Sequence, residues 1–289
     1  MSDIGFIGVG AMGSQMAQRL IAAGHSLTIF DPNQAALVPF EKSARIAKSA
    51  AECGGASLII LMVQNDDQLK EALLGEPGVL STIKPERNSL IAVMSTVLPD
   101  TIFAIRDAIK EKGARLIDAP VSGGPVGARE GTLSIMVGGA ESDFAEAKPL
   151  FEAFGKNIYL CGKLGSGELT KIINNLLGVA NTFLFAEALS IGKRYDVDLS
   201  RLVPIMDVSS GRCMGTRDWP RHLQIYRDAA RTSETIKALT DVCRKDLHHA
   251  VEIAHLSGVN VPLAERLFET LNDATYAEIH DRWRSLASS

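Results

Sequence analysis

Cysteine is sparse. Cys53, Cys161, Cys213 and Cys243 are the four in the chain, and no two form a C-x-x-C pair, which argues against a cysteine-built metal site. The six histidines show no metal-ligand spacing around them, and His248 and His249, being adjacent, point in different directions. A basic surplus is missing as well. With a formal net charge of -4 the chain lacks the positive surface that a general nucleic-acid binder uses to displace phosphate counterions. The N-terminus is apolar, yet Asp3 stands where a signal peptide has its basic region, and glycines interrupt the apolar run. The longest apolar strand, Leu58 to Val63, is too short to span a bilayer. Neither an internal repeat nor a low-complexity tail is present. The expectation is a globular protein of the reducing cytoplasm, with no metal, nucleic acid or membrane as partner.

What is present is apolar residue, 46% of 289, enough for two domains with substantial cores. Ile4 to Ile7 predicts a strand that runs into Gly8-Val9-Gly10-Ala11-Met12-Gly13, followed by a helical pattern through Ile21. In such a turn Gly8 allows the reversal, Gly10 lets the backbone approach a pyrophosphate and Gly13 lets helix pack on strand, while the helix N-terminus supplies positive dipole. A second strand, Ser26 to Phe30, ends at Asp31, about twenty residues on, where a carboxylate accepts ribose hydroxyls and repels a 2′-phosphate. NAD is therefore expected in preference to NADP. Further strands are expected at Leu58 to Val63, Leu90 to Met94, Arg115 to Asp118 and Leu133 to Val137, with helical runs between the earlier ones, which predicts a doubly wound parallel sheet of the α/β class. Loops at strand ends face the cofactor in such sheets, so Val63, Gln64, Ser95 and Thr96 become candidates. After Asp118 comes Ala119-Pro120-Val121-Ser122-Gly123-Gly124-Pro125, which reads equally as an anion cradle of backbone N–H groups or as a plain turn.

Gly165-Ser166-Gly167-Glu168 then opens a helix of about thirty residues that reaches Lys193-Arg194, long enough to bridge two domains. Lys171 and Asn175 are four apart and share one face of it. Beyond lies an almost wholly helical region. It holds a polar loop from Val208 to Pro220, a run of arginines (Arg212, Arg217, Arg221, Arg227, Arg231) that suits either an anionic substrate group or plain solvated surface, and an amphipathic helix at Val242 to Ala254. Gly258 and Pro262 act as stop and restart.

Together, Gly5 to Gly13, Asp118 to Gly124, Gly165-x-Gly167-x-x-x-Lys171-x-x-x-Asn175 and Lys245-Asp246-Leu247 resemble the β-hydroxyacid dehydrogenase family over the whole chain. The resemblance implies a Rossmann domain at 1–163, a long interdomain helix at 164–194 and an all-α C-terminal domain at 195–289 that takes part in homodimers or homotetramers. It also implies Lys171 as catalytic acid/base with Asn175 supporting it, Ser122, Gly123 and Gly124 on the substrate carboxylate, and Thr96 and Lys245 on the nicotinamide side. Ser209 to Cys213 looks like the substrate loop of the 3-hydroxyisobutyrate branch, which makes Arg212 a substrate candidate. Met214 and the residues to Trp219 depart from that branch. Gln64 and Val93 also differ from the family's usual residues, without removing a catalytic group.

The implied reaction passes a hydride between NAD and the β-carbinol of a small hydroxyacid. An ordinary lysine is too basic to take a proton efficiently at neutral pH, so this role requires desolvation or a neighbouring cation. The rivals are reduction of a semialdehyde acid or of a substrate with a second anionic group, a non-catalytic NAD-binding sensor on the same fold, and an imine reductase, whose relatives usually lack lysine at this position.

Overall fold

The computed structural model describes residues 2–287. In chain order the elements are β1 (Asp3–Ile7), α1 (Gly13–Ala22), β2 (Ser26–Phe30), α2 (Gln34–Leu37), β3 (Arg45–Ile46), β4 (Leu58–Leu61), α3 (Asp66–Leu74), β5 (Leu90–Val93), α4 (Pro99–Glu111), β6 (Arg115–Asp118), β7 (Val121–Ser122), α5 (Gly124–Glu130), β8 (Leu133–Gly138), α6 (Glu141–Phe151) and β9 (Gly155–Gly162). Helices alone follow: α7 (Ser166–Arg194), α8 (Leu199–Asp207), α9 (Met214–Arg217), α10 (Trp219–Ala229), α11 (Ser233–Ser257), α12 (Pro262–Asp273) and α13 (Tyr276–Ala287). The chain divides into two compact units, Met1–Lys171 and Ile172–Ser289, so the division falls inside α7.

In the first unit the described strands make one sheet in the order β3-β2-β1-β4-β5-β6-β8-β7, with β9 on β8. The chain winds outward from β1 in both directions, so the ends of β1 and β4 form the switch point where α/β sheets bind ligands. The central strands β1, β4 and β5 are buried on both faces, and alternate side chains feed two separate cores. Ile4, Phe6, Leu58, Ile60, Leu90 and Ala92 enter one, and Ile7, Ile59, Leu61, Ile91 and Val93 the other. That is why these runs read as continuously apolar. The sheet is not parallel throughout. From β3 across to β6 in the sheet the strands run parallel, but β8 is antiparallel to β6 and to β7, because the chain reverses through α5 between β7 and β8.

The second unit is helical, around a core that includes Phe183, Phe185, Leu189, Tyr226, Leu247 and Trp283. Rings meet edge-on or tilted through it: His222 lies 4.7 Å from Tyr226, Tyr226 5.0 Å from Trp283, and Trp283 5.8 Å from Phe183, between centroids. Gly258 ends α11 in the left-handed region, at φ +73°, and Pro262 opens α12, as the stop and restart signals require. The expected loop from Val208 to Pro220 is shorter than the sequence suggests. The Thr216 hydroxyl accepts the Cys213 N–H at 2.9 Å, and the Asp218 carboxylate accepts the Arg221 N–H at 3.3 Å. These caps start α9 and α10 inside the loop. By length and composition α7 could cross a membrane, a feature missed when apolar strands alone are weighed. Within this unit its Val179, Phe183, Phe185, Ala186 and Leu189 are core residues.

Candidate active site

The glycine turn justifies each of its glycines by geometry. Gly8 sits at φ +91°. A Cβ there would stand 2.2 Å from the Met62 carbonyl oxygen, and a Cβ at Gly13 2.0 Å from that of Gly8. Gly10 is different: a Cβ there would meet nothing within 4 Å, so its backbone faces open space. Beside it α1 begins at Gly13, with Met12 at its N-cap giving no side-chain cap and with no acid in the first turn. The N–H groups of Ser14 and Gln15 bond the Gly10 and Met12 carbonyls, but no carboxylate opposes the helix dipole there, which therefore favours an anion such as a pyrophosphate. Gly10 and Ala11 are exposed, Met12 is half-buried and Val9 buried.

Asp31 is anchored. Its carboxylate accepts the Val9 N–H and the Asn33 N–H, both at 2.8 Å, and it is 9% exposed. It therefore ties the end of β2 to the glycine turn in addition to the ribose role expected of it, and each oxygen keeps a further lone pair. At the end of β4, the Val63 N–H donates to the Ser95 hydroxyl at 2.8 Å, which joins the two loops expected on the cofactor side. Gln64 is exposed and Thr96 half-buried. The segment after β6 is not a plain turn, because Val121–Ser122 pairs with β8. Gly123 at φ +132° and Gly124 at φ +65° take backbone angles that favour glycine. Ser122 is half-buried, and both glycines are exposed.

Lys171 closes this unit and is only 7% exposed, whereas the neighbouring Leu169 is 42% exposed. The hydrophobic pattern is inverted there, with the lysine buried and the leucine exposed. Two buried carboxylates are bonded at the start of the helix that carries Lys171. Asp118 accepts the Gly165 N–H at 2.7 Å and the Glu168 N–H at 2.8 Å, and Glu168 accepts the Val97 N–H at 3.2 Å. Burial pushes the Asp118 carboxyl up from its ordinary pKa, against the N–H groups of Gly165, Glu168 and Gly167 that favour its charge.

In the second unit Asn175, one turn beyond Lys171 on α7, donates to the Asp246 carboxylate at 2.8 Å, and the Lys245 ammonium lies 3.4 Å from the other oxygen of Asp246. Asp246, 8% exposed, thus links two candidates. Its own part went unseen in Lys245-Asp246-Leu247 because adjacency in sequence does not show which side chain turns inward. Arg212 stands exposed, its Nε 3.5 Å from Asp207. No group of three or more His, Cys, Asp or Glu side chains able to hold a metal occurs among the described residues.

Residues 3–162 match the family profile described as the NAD binding domain of 6-phosphogluconate dehydrogenase, and residues 165–284 the one described as NAD-binding of NADP-dependent 3-hydroxyisobutyrate dehydrogenase. The chain belongs to the β-hydroxyacid dehydrogenase family. An NAD-dependent L-serine dehydrogenase of Pseudomonas aeruginosa is 35% identical to this family member, over 96% of the chain and 95% of its own length. A probable mitochondrial 3-hydroxyisobutyrate dehydrogenase of Dictyostelium discoideum is 38% identical over 73% of the chain, and the match spans 65% of that relative's length. Among solved structures, a 3-hydroxyisobutyrate dehydrogenase of Salmonella typhimurium matches at a TM-score of 0.80 with 27% identity, covering 96% of this chain and 95% of its own. This family member is accordingly an NAD-binding oxidoreductase, with a Rossmann-type unit followed by a helical one.

Proposed function

We propose that the protein transfers a hydride between NAD and the β-carbinol of a small hydroxyacid of the 3-hydroxyisobutyrate type. The observation that carries this reading is the burial of Lys171, at 7% exposure, on the helix face it shares with Asn175. Bound NAD supplies the hydride acceptor or donor. Lys171 takes the proton of the substrate hydroxyl at Nζ during oxidation and returns it to the carbonyl oxygen during reduction. Asn175, held by Asp246, supports the lysine or the hydroxyl. Ser122 and the backbone of Gly123 and Gly124 receive the carboxylate, and Thr96 and Lys245 are assigned to the nicotinamide side. Gly8 to Gly13, Asp31, Val63 and Gln64 hold the rest of the cofactor. The 95% coverage of the L-serine dehydrogenase favours a second substrate within the same chemistry, since L-serine and 3-hydroxyisobutyrate both carry a primary alcohol β to a carboxylate. Arg212, paired with Asp207 on the surface, is the candidate for a substrate with a second anionic group. A homodimer or homotetramer belongs to this reading. Leu169, Ile173, Leu177, Leu184 and Ile191 fall on one side of α7 and are exposed, a run of apolar surface that suits a contact between subunits. A cytoplasmic location completes it.

Lys171→Ala tests the mechanism. NAD binding, measured by fluorescence titration, stays near native, while turnover on the better of 3-hydroxyisobutyrate and L-serine falls at least about a hundredfold. Near-native turnover would remove the lysine from the mechanism and leave the NAD-binding sensor as the better reading.

A further inference from the structure

We infer that Asp118 and Glu168 form a clasp that positions Lys171, locking α7 to the ends of β5 and β6 one turn ahead of the catalytic amine. The inference rests on the assignment of Lys171 above, and it gives a task to two fully buried carboxylates, both at 0% exposure, that hydride and proton transfer leave without one. The bonding runs in both directions. N–H groups of the helix start, at Gly165 and Glu168, donate to Asp118 on the last residue of β6, and the side chain of Glu168 returns to accept the Val97 N–H beyond β5. Thr96, the nicotinamide-side candidate, directly precedes Val97, and Ser122 follows Asp118 by four residues. One pair of acids therefore ties together the three segments that hydride and proton transfer must hold in register.

The packing leaves the clasp no slack. A Cβ at Gly167 would stand 2.3 Å from the Met136 carbonyl oxygen and 2.8 Å from an Asp118 carboxylate oxygen, and one at Gly138, the residue that faces Asp118 across the β6–β8 pair, 2.5 Å from its other oxygen. The glycine of Gly165-x-Gly167 nearest the lysine is thus a requirement of the carboxylate as well as of the helix start. Because the helix N-terminus favours negative charge, the arrangement can keep buried acids in place. Glu168 and Lys171 are three apart on α7, so any rotation or shift of its first turn moves the amine directly.

Displacement of a reacting group by about 1 Å costs on the order of a hundredfold in rate. Asp118→Asn replaces one acceptor with an amide that opposes an N–H donor, whereas Glu168→Gln keeps an acceptor for Val97 and Glu168→Ala removes it. The measurement is kcat, KM and NAD affinity for these three variants and Lys171→Ala, using NAD with whichever of 3-hydroxyisobutyrate and L-serine is turned over. Asp118→Asn and Glu168→Ala should lower kcat about tenfold to a hundredfold with NAD affinity within about twofold of native, and Glu168→Gln should restore most of the rate that alanine loses. Should Asp118→Asn fail to fold, the alanine and glutamine variants at 168 decide alone. Native kcat in Asp118→Asn and Glu168→Ala beside an inactive Lys171→Ala overturns the clasp and spares the lysine. Equal loss in Glu168→Ala and Glu168→Gln also overturns it, and native turnover in Lys171→Ala overturns both.

Discussion

The sheet ends of the first unit and the ring core of the second bury polar groups in opposite ways. At the sheet ends Asp31, Ser95 and Asp118 are buried and each receives backbone N–H groups, as does one of the two oxygens of Glu168; Nδ1 of His25 is an exception. In the second, Nε2 of His222, the Tyr226 hydroxyl and Nε1 of Trp283 are buried with no hydrogen-bond partner among the described residues. Parallel strands end in loops whose N–H groups have no ladder partner, so a carboxylate placed there is repaid by donors that need it. Helices satisfy their own backbone and offer a buried ring little besides other rings. Polar burial in the first unit thus ties loops to a helix start, and at the rings of the second it is a cost carried by ring packing, whereas Asp246 there is bonded to Asn175.

The largest expected effect comes from breaking the first unit where its backbone approaches most closely. A Cβ at Gly13 would meet a main-chain oxygen at 2.0 Å, and that neighbour cannot swing aside. Gly13→Ala should therefore destabilise the unit by about 3 kcal/mol or more, at the upper end of overpacking costs. Gly10→Ala, facing open space, should leave stability unchanged and weaken NAD binding. Denaturant unfolding and NAD titration of both variants check this contrast, which fails if the two behave alike.

Next in size is the acid response of the second unit. Burial depresses the His222 pKa from 6.5 to about 4, and the residue is 3% exposed. A depressed folded-state value means that the unfolded chain takes up the proton first. Stability is therefore full above about pH 6.5 and falls as the pH drops toward 4, by about 3 kcal/mol for a shift of this size. Replacement of His222 by Phe, which keeps a ring against Phe185 and Tyr226, should flatten that part of the profile in urea titrations at stepped pH. An unchanged slope would place the acid sensitivity elsewhere.

The same contrast governs what could be read from the sequence. Gly8 and Gly13 were legible because a backbone that must turn or pack this closely admits only glycine, and the place of Asp31 at the end of β2 because its distance from the turn is set by one helix and one strand. The helix from Ser166 to Arg194 showed itself by length and spacing. The clasp did not: Asp118 lies 47 and 50 residues from its donors, and no local pattern reports a partner so distant. β9 escaped because its side chains are largely exposed, so no apolar alternation marks it. Nor can helical periodicity tell that His222, Tyr226 and Trp283 meet, because it fixes which face of a helix turns inward and not which helix it meets.

The smallest effect is the sharpest test of how the second unit tolerates its orphans. Tyr226 is 0% exposed, and burial, with Cys213 adding to it, pushes its phenol above the ordinary tyrosine pKa, so the hydroxyl stays neutral. Leaving a buried hydroxyl unmatched costs about 1 to 3 kcal/mol, whereas the ring contacts with His222 and Trp283 survive its removal. Tyr226→Phe should therefore leave the second unit as stable as before or more stable by up to about 1 kcal/mol, the net remaining after the small void left by the oxygen is counted. Thermal and urea unfolding of the variant provide the measurement. A loss above about 1 kcal/mol would mean that the hydroxyl has a partner after all, such as an ordered water held jointly with His222 or Trp283, and the second unit would then satisfy its buried polar groups as the first does.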